Sequence, residues 1–156
     1  MTQITTFLSY DNQAEAAVQL YVSTFDGKIL STTRAGDGLP GQKASVFSLT
    51  FELFGQTFLA MNGGPTFSFS QGISLFVSCE TQVEIDRYWA KLTEGGKEVQ
   101  CGWLVDPYGV SWQIVPKVLG AMLSSEDAPK RSRALQAMLK MKKLEIAALE
   151  RAFEGV

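Results

Sequence analysis

The chain has 156 residues, a net charge of −2, 46% hydrophobic and 19% charged residues, and no histidine at all. That balance fits one globular domain able to bury a core, and the mild acidity argues against nucleic acid as a partner. Without imidazole, the Ser-His triads, HExxH zinc sites and two-His-one-carboxylate iron sites are excluded.

The N-terminus, MTQITTFLSYDNQ, has neither a cationic start nor a long apolar run, so no secretory signal is expected. No stretch approaches the ~18 apolar residues that a membrane span needs, and none is expected to enter a membrane. Two cysteines, Cys79 and Cys101, make no disulfide framework, and a cytoplasmic location is the expectation.

Residues 4–10 read as a strand, and Asp11-Asn12 as turn and cap chemistry before a helix over 13–25. Ala17, Leu20, Tyr21 and Phe25 fall on one face of that helix, and Asp26-Gly27 stops it. Strands follow at 28–34, 45–53 and 56–62, the last two turning at Phe54-Gly55, with a flexible loop, Ala35 to Gly41, before them. Asn62-Gly63-Gly64-Pro65 reads as a joint. The same string then recurs: strand 73–79, cap Glu80-Thr81, helix 82–94, strands 97–100, 102–106 and 110–115. In the second helix Ile85, Tyr88, Trp89 and Leu92 form the apolar face.

The recurrence is one of identity as well as pattern. Ile4-Thr-Thr-Phe-Leu-Ser lies on Ile73-Ser-Leu-Phe-Val-Ser without a gap. Gln13 then falls on Gln82, Glu15 on Glu84, Thr24 on Thr93, Gly27 on Gly96 and Lys28 on Lys97. Phe54-Gly55-Gln-Thr-Phe58 echoes Tyr108-Gly109-Val-Ser-Trp112. The chain is therefore read as α+β, with two βαβββ modules over 1–62 and 63–116. Each module leaves one sheet face uncovered, so the two sheets are expected to curve around a shared cleft, a natural small-molecule site.

Past the repeat, 117–156 reads as a helical extension. Lys117 to Leu123 is a short helix, and Ser125-Glu-Asp-Ala-Pro129 a cap with an early proline. Leu135, Met138, Leu139, Ile146, Leu149 and Phe153 form an apolar stripe, with Gln136, Lys140, Lys142, Lys143 and Arg151 facing out. The stripe either packs on its own domain or clasps a second subunit; the clasp is the favoured expectation, because the repeat closes a domain without it.

Three stretches carry a family resemblance: Asn62-Gly-Gly-Pro-Thr-Phe67, Cys101 through Pro116 (CGWLVDPYGVSWQIVP), and Met138 through Glu150 (MLKMKKLEIAALE). With them the chain resembles the PhnB-like, 3-demethylubiquinone-9 3-methyltransferase-type subgroup of the glyoxalase/bleomycin-resistance/dioxygenase (vicinal oxygen chelate) superfamily. The resemblance implies paired βαβββ modules, a homodimer, and metal ligands on the first and last strand of each module. Those positions hold Leu59 and Gln113 on the last strands, and Thr5 or Thr6 and Ser74 or Leu75 on the first. Thr66 stands where many members have histidine. Only Gln113 could ligate, and one amide oxygen is a weak ligand, so neither metal nor cofactor is expected. The methyltransferase label implies a glycine-rich turn from strand to helix, yet the glycine-rich loop here joins strand to strand.

The candidate ligand contacts are Gln113, Trp112, Trp103, Phe7, Phe76, Leu59, Asn62 and Cys101. Gln113 either anchors a ligand or bonds a neighbouring strand; Trp103 and Trp112 either wall a pocket or fill a core. Cys101 is read as an inert thiol, since no base is visible for it. Glu52 and Asp106 are acid/base candidates that edge and turn solvation also explains. The function expected is metal-independent small-molecule binding, as in sequestration or resistance. An enzyme of lyase, isomerase or dioxygenase type, or an assembly module, remains open.

Overall fold

A computed structural model describes residues 1–35 and 45–156 of the chain. The expected Ala35–Gly41 loop falls almost entirely outside the described residues. The chain forms two compact units, Met1–Phe69 and Ser70–Val156.

In the first unit, β1 (Thr6–Tyr10) is followed by α1 (Ala14–Phe25), β2 (Lys28–Ala35), β3 (Ser45–Leu53) and β4 (Gln56–Asn62). The sheet order is β1-β4-β3-β2, with β1 parallel to β4 and the other pairs antiparallel. Side chains alternate across the sheet. Leu8, Tyr10, Leu49, Phe51, Leu53, Phe58 and Ala60 are buried with Ala17, Val18, Tyr21 and Phe25 of α1. Phe51 and Phe58 stack at 5.2 Å between ring centroids. Phe7 stays 51% exposed on the opposite, helix-free face.

The cap of α1 is not Asp11-Asn12. Its N-cap is Gln13, which makes no side-chain bond. Asn62 Oδ1 on β4 accepts from the Ala14 amide at 2.8 Å instead, while Asn62 Nδ2 donates to the Val46 carbonyl at 3.1 Å. The Asn62-Gly63-Gly64-Pro65 joint lies inside this unit, because the Gly63 and Gly64 amides donate to the Tyr10 and Asp11 carbonyls and Phe69 packs edge-on against Tyr10.

The second unit repeats the plan with β5 (Ser74–Cys79), α2 (Gln82–Thr93), β6 (Lys97–Glu98), β7 (Trp103–Val105) and β8 (Ser111–Pro116), in the order β5-β8-β7-β6. Here the helix caps itself. Thr81 Oγ1 accepts from the Glu84 amide at 3.2 Å, and Glu84 Oε2 accepts from the Glu80 amide at 2.8 Å. β6 stops two residues short of the expected 97–100 strand, because the chain turns at Gln100 with Cys101 and Gly102 both in the left-handed region.

The repeat's matched glycines, Gly27 and Gly96, have one structural cause. A Cβ on Gly27 would stand 2.4 Å from the Glu52 carbonyl oxygen, and a Cβ on Gly96 would stand 2.4 Å from that of Val105. In both units the chain leaving the helix passes against the backbone of the neighbouring strand.

The extension is three helices, α3 (Lys117–Leu123), α4 (Ala128–Leu139) and α5 (Ile146–Glu154). Asp127 caps α4 by accepting from the Lys130 amide at 3.1 Å, with the proline in the first turn as expected. The stripe does not run unbroken from 135 to 153, because the chain turns between α4 and α5. Leu119, Met122, Ala134, Leu144 and Leu149 form the buried cluster, with Val115 and Met138 packed against it. Leu135 and Leu139 face out instead, 41% and 56% exposed. Part of the stripe therefore packs in cis, on its own unit. No helix among the described residues is long and apolar enough to cross a membrane.

Candidate functional site

The site is set by alternation along β8. Trp112 and Ile114 point into the core of the second unit, and Gln113 and Val115 point to the opposite face of the sheet, away from α2. Register places Phe76 of β5 opposite Gln113 on one side and Trp103 of β7 opposite it on the other. Phe76, Gln113 and Trp103 thus form one row across three strands, two aromatic rings flanking an amide.

α3 begins directly after β8 and puts Lys117, Leu119, Gly120 and Leu123 over the same face; Met138 of α4 adds to this wall. Cys101 closes one edge. The resulting pocket has a volume of about 360 Å³, lies wholly within the second unit, and is mainly apolar. Its size falls in the range of small-molecule sites.

Polar groups in it are few. Gln113 Nε2 donates to Ser74 Oγ on β5 at 2.9 Å, so the amide does bond a neighbouring strand. Its carbonyl oxygen has no donor among the described residues. Lys117 Nζ sits 3.0 Å from Glu80 Oε1 in an exposed ion pair. Cys101, at the edge, is half-buried and has φ of 60°; its amide donates to the Met141 carbonyl at 2.8 Å.

The remaining candidates lie elsewhere. Trp112 is 2% exposed and donates its indole N–H to Asp106 Oδ2 at 2.9 Å, which makes it core rather than pocket wall. Phe7 and Leu59 pair in register in the first unit, as Phe76 and Gln113 do in the second. Asn62 is occupied as the cap of α1. Asp106 is not the solvated turn carboxylate expected: it is 3% exposed and accepts from the Tyr108 and Val110 amides at 2.8 and 3.1 Å as well as from Trp112. A carboxylate so engaged organises the β7–β8 turn. Glu52 pairs with Lys28 at 3.4 Å on the first sheet. Leu119, Gly120, Leu123 and Met138 were absent from the candidates; the one local signal for them was a glycine inside a helical pattern.

A metal does not fit these residues. The chain has no histidine, and no group of three His, Cys, Asp or Glu that could hold an ion occurs among the described residues. The positions implied by the superfamily offer Leu59 and Gln113, and Ser74 is already bonded to Gln113. S-adenosylmethionine does not fit as a doubly wound sheet would hold it. The strand-to-helix turns are Asp11-Asn12-Gln13 and Glu80-Thr81, without glycine, and three of every four strands pair antiparallel.

The profile of the 3-demethylubiquinone-9 3-methyltransferase family matches residues 2–115. A solved chain from Bacillus cereus, described as a PhnB protein, is 38% identical, with a TM-score of 0.67 over 74% of this chain and 99% of that one. A Pseudomonas aeruginosa protein shares the fold at 17% identity, TM-score 0.63, over 75% of this chain and 98% of that one. A fosfomycin resistance protein from Mesorhizobium loti does so at 10% identity, TM-score 0.53, over 73% and 90%. No curated protein matches at a significant level.

Proposed function

Because the chain belongs to the PhnB-like, 3-demethylubiquinone-9 3-methyltransferase family, with the fold of the glyoxalase/bleomycin-resistance superfamily, we propose that it binds a small organic molecule without a metal. The observation that carries this reading is the pocket of about 360 Å³ over β5, β7 and β8, in which Phe76 and Trp103 flank the Gln113 amide. Apolar walls with one or two placed polar groups are what small-molecule sites are made of. Binding is favoured over catalysis because the lining has no general base: its one cation, Lys117, is paired, and its thiol, Cys101, has no base beside it. Sequestration of a molecule is the corresponding role.

Two further properties belong to this reading. Phe7, left 51% exposed on the helix-free face of the first sheet, supports a homodimer. Two free cysteines support a reducing, cytoplasmic setting.

Thermal-shift screening of the purified chain against small organic compounds, with and without EDTA, is the test. Compounds that bind the native state raise the melting temperature by mass action. Stabilisation that is unaltered by EDTA is the expected outcome. Stoichiometric bound metal in elemental analysis, with a melting temperature lowered by EDTA, overturns the metal-independent reading.

A further inference from the structure

One wall of the pocket lies beyond the residues that the family profile matches. The family profile ends at residue 115, whereas Lys117, Leu119, Gly120 and Leu123 of α3 and Met138 of α4 all line the cavity. The extension is held in place from below. The Cys101 and Gly102 amides donate to the Met141 and Lys142 carbonyls, both at 2.8 Å. Gln82 of α2 brackets the next residues, its Nε2 donating to the Leu144 carbonyl at 3.0 Å and its Oε1 accepting from the Ile146 amide at 2.7 Å. Leu144 is fully buried. The helical wall is thus a fixed part of the second unit.

Gly120 sits in the middle of α3, where glycine is about 1 kcal/mol less favourable than alanine. Nothing local requires it. Its φ is not in the left-handed region, and a Cβ there would meet no heavy atom within 4 Å. What the missing side chain leaves is room at the pocket it lines.

We infer that the C-terminal extension is the specificity wall of the site, and that Gly120 keeps it open for an uncharged, flat, mainly apolar ligand carrying one hydrogen-bond donor. The inference rests on reading the pocket as a ligand site. The ligand's body lies between Phe76, Trp103 and the α3 wall, where aromatic side chains favour a planar partner. Its donor meets Gln113, whose Nε2 is taken by Ser74 and whose carbonyl oxygen remains to accept. An ionised ligand finds no uncompensated countercharge, since Lys117 is held by Glu80, and burying an unpaired charge is costly.

Two dyes with one ring skeleton test this on the full chain: neutral N-phenyl-1-naphthylamine, with a single N–H donor, and anionic 8-anilinonaphthalene-1-sulfonate. The neutral dye is expected to bind and quench tryptophan emission, and the sulfonate to bind about tenfold or more weakly. Gly120→Leu is expected to weaken the neutral dye by about tenfold or more while melting at or above the wild-type temperature. Gly120→Ala, which space cannot prevent from folding, shows a smaller loss in the same direction. If Gly120→Leu and Gly120→Ala bind the neutral dye as the wild type does, while Trp103→Phe removes the quenching, the α3 inference falls and the pocket stands. A sulfonate that binds as tightly as the neutral dye, or a wild-type chain stabilised by screened compounds but not by the neutral dye, overturns the ligand class. A wild-type chain that answers neither dyes nor screened compounds overturns both readings.

Discussion

The two cysteines show how much a residue's chemistry depends on its place. Cys79, at the end of β5, is 1% exposed, and burial, aided by the Glu84 carboxylate, pushes its thiol from an ordinary 9.0 up to about 12. Cys101 lies half-buried at the pocket edge. Iodoacetamide at neutral pH is therefore expected to label Cys101 and spare Cys79 in the native protein, with mass mapping of the adduct as the check. The raised pKa also predicts a pH dependence. Above pH 9 the unfolded chain releases the Cys79 proton that the folded chain keeps, so stability is fully present below 9.0 and declines as pH rises towards about 12. Urea midpoints at about pH 8 and about pH 10 should fall more steeply for the wild type than for Cys79→Ala; equal slopes refute the assignment.

At the scale of elements, the extension is anchored at α2 by the bracket at Gln82 and by Lys143, whose Nζ lies 2.7 Å from Asp86 Oδ1. The hydrogen bond to Lys143, with one from Gln82, lowers the Asp86 pKa, and its partner raises that of Lys143. The pair therefore supports the fold above the ordinary carboxylate value of 3.8 and below the ordinary lysine value of 10.5, and weakens outside that window. Both groups are largely solvated, so the effect is small. The two βαβββ units rest more heavily on their matched glycines. Gly27→Ala and Gly96→Ala each drive a methyl group into a backbone carbonyl, and each is expected to cost about 1–3 kcal/mol. Thermal denaturation of the two variants reads this directly. A loss in only one of them would mean that the two units do not share the strand approach.

At the scale of the whole molecule, the proposed homodimer rests on the apolar side chains that stay exposed, Phe7 among them. The wild type is expected to sediment at twice the mass of one chain, and Phe7→Glu to shift it towards a single chain, since a charge is then buried in the contact. A wild-type chain that sediments as a monomer at micromolar concentration removes the homodimer from the reading.

Much of the architecture was legible because it is written locally. Strand alternation, helical faces and turn residues gave both βαβββ strings within a few residues, and the aligned identities exposed the duplication. The absence of histidine, a property of composition alone, excludes an imidazole ligand anywhere in the chain. What remained hidden depends on residues distant in sequence. Asn62 caps a helix that starts forty-eight positions earlier; Asp106 is buried by the indole of Trp112 across its own hairpin; Leu135 and Leu139 lose the core to Ala134 because the chain turns between α4 and α5. The pocket has the same origin. Alternation could say that Gln113 and Trp112 point opposite ways, but only the packing of α3 onto β8, with α4 against α3, decided which face would be closed over a cavity, because periodicity reports a residue's face and not what comes to cover it.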